Sequence, residues 1–340
     1  MGEPLPANEP LTDELRGRHF ITLQDWSREE IDLLLRVSGD LKRKFAAGRE
    51  TEYLRHRTIF LMFFGQSTRT RNSMEAGITQ LGGHAHFLDT STMQIAHGEV
   101  AKDTGIILSR YGHAIACRNC VWEVGNRYLN ELAQWSSAPI ISMQCDRYHP
   151  LQALADLMTM QEKLGSLKGR KVSVIWAYAT SHKKPVSVPL SQILLFPRYG
   201  IDVTLAHPES HPLPQWAIDL AQDNARAGGG SLTITHDQEA AYRDAHVVIP
   251  KNWGDWVLSP ESTSTEALEA GRHWKCTVER MALTAKDALY MHALPADRGN
   301  EVQDAVIDGP QSVIYDEAEN RLHTAKAVMA LTMRASEPGQ

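Results

Sequence analysis

The run Ile59-Phe60-Leu61-Met62-Phe63-Phe64 constrains the fold more than any other stretch of the chain. It is short, continuous and uncharged, so both of its faces must be covered, which is the situation of a strand inside a parallel sheet. A polar corner, Ser67-Thr68-Arg69-Thr70-Arg71, follows almost at once and leads into a helix-like segment. Further strand candidates at His84 to Leu88, His113 to Cys117 and Pro139 to Met143 are separated by helix-length segments. That alternation predicts a doubly wound α/β domain. Upstream, Gln24-Asp25-Trp26-Ser27 reads as a helix start, with Ile31, Leu34, Leu35 and Leu41 recurring at helical spacing.

A chain of 340 residues exceeds the usual size of one core, and two α/β domains of roughly 150 residues each are expected. The segment His149 to Leu164 gathers Leu151, Leu154, Ala155, Leu157 and Met158 on one side and reads as a helix leading into the second domain. A new β/α series follows, with strands expected at Lys171 to Trp176, Asp202 to Ala206, Ser231 to Thr235, His246 to Ile249, Ala288 to His292 and Ser312 to Tyr315. Between the first two lies Ala177 to Pro189, AYATSHKKPVSVP, a proline-punctuated loop longer than a strand-to-helix connection needs. Ala318 to Met333 is the expected closing helix. The fold class is α/β, with two doubly wound parallel-sheet domains joined by interdomain helices.

Charge argues against a nucleic-acid partner: the chain has 35 basic against 41 acidic residues, net charge −6, and no long block of one sign. Its four cysteines, Cys117, Cys120, Cys145 and Cys276, are too few for a disulfide framework, and the lone CxxC has no second ligand pair at zinc spacing. The opening MGEPLPANEP has no basic-plus-apolar leader pattern, and no apolar stretch approaches the ~18 residues of a membrane span. A soluble protein of the reducing cytoplasm, without a membrane partner, is expected.

A helix N-terminus exposes unpaired N–H groups and partial positive charge, so a strand-to-helix corner favours anions. Ser67, Thr68 and Thr70 add hydroxyl donors and Arg69 a fork-shaped cation, a set suited to a phosphate dianion. The bland alternative is a capped helix with solvated arginines. It is not a P-loop, since no GxxxxGK[ST] occurs. In His149-Pro150-Leu151-Gln152 a histidine and a glutamine stand one helical turn apart and can converge on a small group, although such a histidine is more often a cap or core residue. Met291-His292-Ala293-Leu294-Pro295-Ala296-Asp297-Arg298 is a strand end running into a proline turn, where open parallel sheets place ligand contacts, or else an ordinary turn.

Taken in order, STRT, Gln94 with Gly98-Glu99, Arg118, HPLQ, HALP and Glu319-Asn320-Arg321 resemble the aspartate and ornithine carbamoyltransferases. Within that superfamily the chain looks most like the N-acetylornithine carbamoyltransferase branch and its relatives of unknown acceptor. The resemblance runs from about His19 to Met333 and includes Gln80-Leu81-Gly82-Gly83-His84 and Lys251-Asn252-Trp253. It implies a carbamoyl phosphate-binding domain over 1–150, with the C-terminal helix 318–340 packing back on it, and an amine acceptor-binding domain over 151–317. It implies that Ser67, Thr68, Arg69, Thr70 and Arg321 bind the phosphate. It further implies that Thr70, Arg118 and His149 face the carbonyl oxygen and that Gln152 holds the carbamoyl NH₂. Arg69, Thr70, Arg118, His149 and Gln152 are the catalytic set. The loop of Gln94 is expected to reach a neighbouring subunit's site in a homotrimer, with no metal and no cofactor. The same resemblance implies a knot in the second domain, in which the loop Ala177 to Pro189 encloses a segment at about Ala245 to Trp256.

The chain departs from the family at the acceptor side. Ala293 replaces the cysteine of His-Cys-Leu-Pro, and Lys251-Asn252-Trp253-Gly254-Asp255-Trp256 stands where ornithine enzymes carry Ser-Met-Gly. Cys145 and Asp146 fall where N-acetylornithine enzymes place a glutamate, and Glu301 falls at the position of their carbamylated lysine. The resemblance therefore implies a small amine or amino acid acceptor, met by Cys145, Lys251, Trp253, His292, Ala293, Leu294, Arg298 and Glu301. Lys251 and Arg298 are the candidates for its carboxylate, and Trp253 and Trp256 for the pocket wall. Alternatives are N-acetylornithine or ornithine carbamoyltransferase proper, or a non-catalytic anion-binding relative. A nicotinamide oxidoreductase is disfavoured because no GxGxxG follows a candidate first strand.

Overall fold

A computed structural model describes residues 12–254 and 265–333. The chain divides into two compact units, one of the residues up to Ala155 together with those from Glu319 onward, the other of Asp156–Ala318.

In the first unit α1 (Arg28–Ala46) begins with a reciprocal cap. The Ser27 Oγ accepts from the Glu30 N–H, and the Glu30 carboxylate accepts from the Ser27 N–H at 2.7 Å, an arrangement worth about 1 kcal/mol. Ile31, Leu34, Leu35 and Leu41 are buried, as their spacing predicts. Then come β1 (Thr58–Phe63), α2 (Arg69–Gln80), β2 (His84–Asp89), α3 (Ala101–Tyr111), β3 (Ala114–Asn119), α4 (Gly125–Trp135), β4 (Ile140–Cys145) and α5 (Pro150–Leu164). The strands are parallel, in the order β2-β1-β3-β4. Ile59, Leu61 and Met62 of β1 have no exposed surface, and each such side chain contributes roughly 1.5–3 kcal/mol of burial.

That strand order places the topological switch between β1 and β3, and ligands of open α/β sheets sit outside the carboxyl ends of the strands at such a point. The polar corner leaves the end of β1, and Arg118 stands near the end of β3. The β3–β4 register slips between Cys117 and Arg118, so that Arg118 faces Gln144. A bulge of this kind re-aims a side chain at the sheet rim. Gly125, which opens α4, has to be glycine: a Cβ there would lie 1.9 Å from the Asn119 carbonyl oxygen.

The second unit contains β5 (Lys171–Trp176), α6 (Ser187–Leu195), β6 (Asp202–Ala206), α7 (Gln215–Gly228), β7 (Ser231–Thr235), α8 (Gln238–Tyr242), β8 (Val247–Lys251), α9 (Glu266–Ala270), α10 (Val278–Met281), β9 (Leu289–Tyr290) and α11 (Asp304–Ile307). Its parallel sheet runs β7-β6-β5-β8-β9, with the switch between β5 and β8. Pro250 is tolerated in β8 because β9 pairs only with Val247 and Val248, leaving that side of Pro250 without a ladder partner. The last helix among the described residues is α12 (Ile314–Thr332). The boundary between the units falls inside α5 and again inside α12. Among the described residues, no helix is long and apolar enough to cross a membrane.

Three expectations change. Ser312 to Tyr315 is not a strand: Ser312 makes one parallel bridge to Tyr290, and α12 starts at Ile314 with Asp316 and Glu317 in its first turn, where acidic residues favour a helix. The strand expected over Ala288 to His292 shortens to Leu289–Tyr290, because the His292 N–H donates to the Glu317 carboxylate at 2.8 Å and leaves the ladder. The loop Ala177 to Pro189 ends early, since α6 takes in Pro189 in its first turn, where a missing N–H costs nothing.

Candidate functional site

At the switch point of the first unit the corner folds as its sequence suggests. Thr68 is the N-cap of α2 and makes no side-chain cap hydrogen bond, so its hydroxyl is not spent on the helix. Ser67 and Thr68 line a cleft of about 520 Å³ together with Phe63, Phe64, Arg71 and Asp89. Behind them, buried Thr70 accepts at Oγ1 from Arg118 Nη1 at 3.2 Å and from Arg321 Nη2 at 3.1 Å. Arg321 Nη1 donates to the Gln152 Oε1 at 2.5 Å. The first turn of α2, the rim of β3, the start of α5 and the middle of α12 are thus tied through one hydroxyl and one guanidinium.

The electrostatics of this cluster favour an anion. Burial and the nearby Arg118 charge depress the Arg69 pKa below the ordinary arginine value. Burial, then Arg321, then Arg118, push His149 well below the usual imidazole range, so it is neutral at physiological pH. Cations gathered around a neutral imidazole and a helix N-terminus repel one another until a dianion enters. His149 sits directly before α5, whose first residue is Pro150, a residue pre-shaped for a helix start. Gln94 stands apart, exposed in the short 3-10 turn Gln94–His97 that Gly98 closes at φ 95°.

Phe87, Asp89, Thr90 and Ser91 escaped the sequence reading of this cleft, whereas Arg71 was part of the corner it singled out. Arg71 pairs with Glu75 at 2.8 Å and lies over the Phe87 ring at 3.6 Å from its centroid. Asp89 is brought in because β2 is the neighbour of β1, with Phe63 opposite Asp89 in register.

The switch point of the second unit holds a different network. The buried Glu301 carboxylate accepts from the Asn252 N–H at Oε1 (2.6 Å) and from the Asp297 N–H at Oε2 (2.5 Å). His292 Nδ1 accepts from the Leu294 N–H at 2.9 Å, which fixes the proton on Nε2, and Nε2 faces Glu301 Oε1 at 3.4 Å. Burial alone would raise the Glu301 carboxyl, but the His292 hydrogen bond and the Lys251 charge hold it down, to about 2. Leu294 has φ +52° and precedes a cis proline bond. The HALP turn is built around one carboxylate and one imidazole.

Several acceptor-side expectations are corrected here. Lys251 is buried, and its Nζ donates to the Asn252 carbonyl (2.8 Å) and Oδ1 (2.5 Å), with Glu301 and Asp297 as nearby countercharges. Its ammonium serves the β8 end rather than standing open for a carboxylate. Arg298 is met twice, by Asp304 at 3.0 Å and Asp308 at 2.6 Å. Trp253 is fully buried, its ring N–H donating to the His211 carbonyl at 3.2 Å, so it is a core residue and not a pocket wall. Trp256 lies outside the described residues. Cys145, in the first unit, is buried at the end of β4; its Sγ accepts from the Tyr148 N–H at 3.2 Å, and burial pushes the thiol up to about 12. Ala293 follows His292 in the turn, where it leaves the Leu294 backbone contact intact.

Two family models cover nearly the whole chain. The aspartate/ornithine carbamoyltransferase carbamoyl-P binding domain matches residues 18–162, and the Asp/Orn binding domain of the same family matches residues 169–332. The ornithine carbamoyltransferase of Halalkalibacterium halodurans is 38% identical over 315 residues, covering 93% of this chain and 95% of the relative. Among solved structures, the ornithine carbamoyltransferase from Pyrococcus furiosus aligns with a TM-score of 0.85 at 36% identity, over 94% of this chain and 98% of its own. An acetylornithine transcarbamylase complexed with acetylcitrulline aligns at 0.86 and 33%, over 94% and 100%. The chain belongs to the aspartate/ornithine carbamoyltransferase family.

Proposed function

We propose that this protein transfers the carbamoyl group of carbamoyl phosphate to the amine of a small amino acid, giving a ureido product and phosphate. The observation that carries this reading is Thr70 held between Arg118 and Arg321 at the head of α2, inside the segment matched by a carbamoyl-P binding domain. In this reading the residues up to 150 and from 318 form the carbamoyl phosphate domain, and 151–317 the acceptor domain.

Ser67, Thr68, Arg69, Thr70 and Arg321 grip the phosphate, aided by the α2 terminus. Arg118, Thr70 and neutral His149 donate to the carbonyl oxygen, where negative charge grows as the neutral amine attacks. Gln152, its amide fixed by Arg321, orients the carbamoyl NH₂. The new C–N bond forms, the C–O bond to phosphate breaks with its electron pair on phosphate, and the amine proton passes to the departing phosphate. Positioning and electrostatics supply the catalysis, without a covalent intermediate. The Leu294 carbonyl, set by His292 and Glu301, receives the attacking amine.

The acceptor branch is open between ornithine-type and N-acetylornithine-type enzymes, since identities to the two solved kinds are 36% and 33%. Ala293, Glu301 and the engaged Lys251 favour an acceptor distinct from free ornithine. A screen of amino acids and N-acylated diamino acids with carbamoyl phosphate, scoring ureido product and phosphate together, tests this. Transfer to none of them would leave the non-catalytic relative.

We further propose a trimer in which exposed Gln94 completes a neighbour's site, within a reducing cytoplasm. Sedimentation at working concentration reads the trimer directly. The knotted arrangement is supported by the Gly254 N–H donating to the Lys184 carbonyl at 2.9 Å, and by the Gly254 position, where a Cβ would lie 2.1 Å from the His182 oxygen. An experimental structure with 177–186 lying clear of 245–254 would remove it.

A further inference from the structure

At the other end of α2 from Thr70, a second cleft of about 340 Å³ opens among the end of α1, the loop that follows it and α12. Lys326 forms part of its wall and is only 1% exposed. Its Nζ donates to the Gln80 Oε1 at 2.9 Å and lies 5.5 Å from the centre of the Phe45 ring. The charged groups facing the cleft are Arg49, Glu50 and Glu52, of which Glu52 pairs with Arg55 at 3.6 Å. Neighbouring Lys44, by contrast, is tied to Asp40 at 2.7 Å. Lys326 therefore differs from the paired lysines of this unit: its ammonium rests on an amide oxygen and a ring face. The cleft has room for several molecules of triatomic size, at roughly 30 Å³ for each water.

We propose that Lys326 is a carbamoylation site, taking up isocyanic acid, the small electrophile in equilibrium with cyanate. The neutral Nζ attacks the isocyanate carbon and a C–N bond forms. The C=N electron pair moves to the isocyanate nitrogen, which takes up a proton while Nζ loses one. The product is an uncharged ureido side chain that keeps a donor for Gln80, with no leaving group and no redox change. Carbamoyl phosphate releases cyanate as it decomposes, so this enzyme would meet the reagent in its own substrate; that source alone rests on the proposed function.

Burial lowers the Lys326 pKa to about 8. Against an ordinary value of about 10.4 this raises the free-amine fraction at pH 7.5 on the order of 10²-fold. Nucleophilicity falls with basicity, by roughly tenfold over that span if amines follow the slope known for thiols. A net advantage of about tenfold remains.

The test is timed labelling of the full chain with potassium cyanate at pH 7.5, without carbamoyl phosphate, followed by peptide mass spectrometry. Lys326 should gain one carbamoyl group about tenfold faster than exposed Lys168 and Lys286, and the advantage should vanish in denaturant and shrink at pH 10. Lys326 reacting no faster than those two at pH 7.5 overturns the proposal. Because cyanate is added directly, the outcome is independent of whether the chain transfers carbamoyl groups to an acceptor.

Discussion

Thr70 and Arg321 stand 251 residues apart in the chain, yet the Thr70 hydroxyl accepts from Arg321 Nη2 at 3.1 Å. A hydroxyl has two acceptor sites and one donor. Arg118 takes the other acceptor site, so the Thr70 hydrogen is left to donate. Two guanidiniums thus orient one O–H as a donor at the head of α2, where an oxyanion would sit.

Replacing Thr70 with valine keeps the shape and removes that donor. T70V should lose about 10²–10³-fold in kcat, the scale of one oxyanion donor, while T70S should stay within about tenfold of the parent. Steady-state carbamoylation rates separate the two, and equal loss in both would assign Thr70 to packing.

His149 is held neutral by burial and by Arg321 and Arg118, so its folded pKa lies below its unfolded one. The unfolded chain then binds the extra proton, and stability present above about pH 6.5 declines as pH falls below it. Denaturant midpoints from pH 7.5 to 5 should fall for the parent and fall less for H149N. A parallel decline in both would place the titrating group elsewhere.

Glu301 has the opposite chemistry but the same direction. Its pKa is held at about 2, so its contribution is present above about pH 4.5 and is lost as pH falls toward 2. Both oxygens accept backbone N–H bonds, and an amide offers only one acceptor oxygen. E301Q should destabilise by roughly 1–3 kcal/mol at pH 7 and flatten the acid limb, measured by urea unfolding.

Arg298 tests the corrected acceptor side. It is half exposed and already met by Asp304 and Asp308, so R298Q should change the acceptor KM less than twofold and leave the denaturation midpoint close to the parent's. A large rise in acceptor KM with unchanged stability would return Arg298 to the binding set.

Much of this was legible because periodicity and burial report the same physics. Ile59 to Phe63 read as a buried strand since an uncharged run has to be covered on both faces, and Gln24 to Ser27 read as a helix start since a cap is local. What stayed hidden was non-local. Asp89 joins the cleft lined by Ser67 and Thr68 only through the lateral order of strands, which no spacing encodes. Lys251 and Trp253 looked like ligand groups because residue type announces chemistry and says nothing of burial. Ser312 to Tyr315 had strand-like residues, but the acidic turn that follows starts a helix.

The corner at residues 67–70 is the proposed grip on the phosphate of carbamoyl phosphate, and Arg69→Ala removes its fork-shaped cation. With the acceptor found in the screen, the variant should fold with the parent's Tm and lose at least about 10³-fold in kcat/KM, as expected when a charged contact to a transferring phosphate is removed. Carbamoylation at the parent rate by a folded R69A protein would mean that this corner does not bind the phosphate.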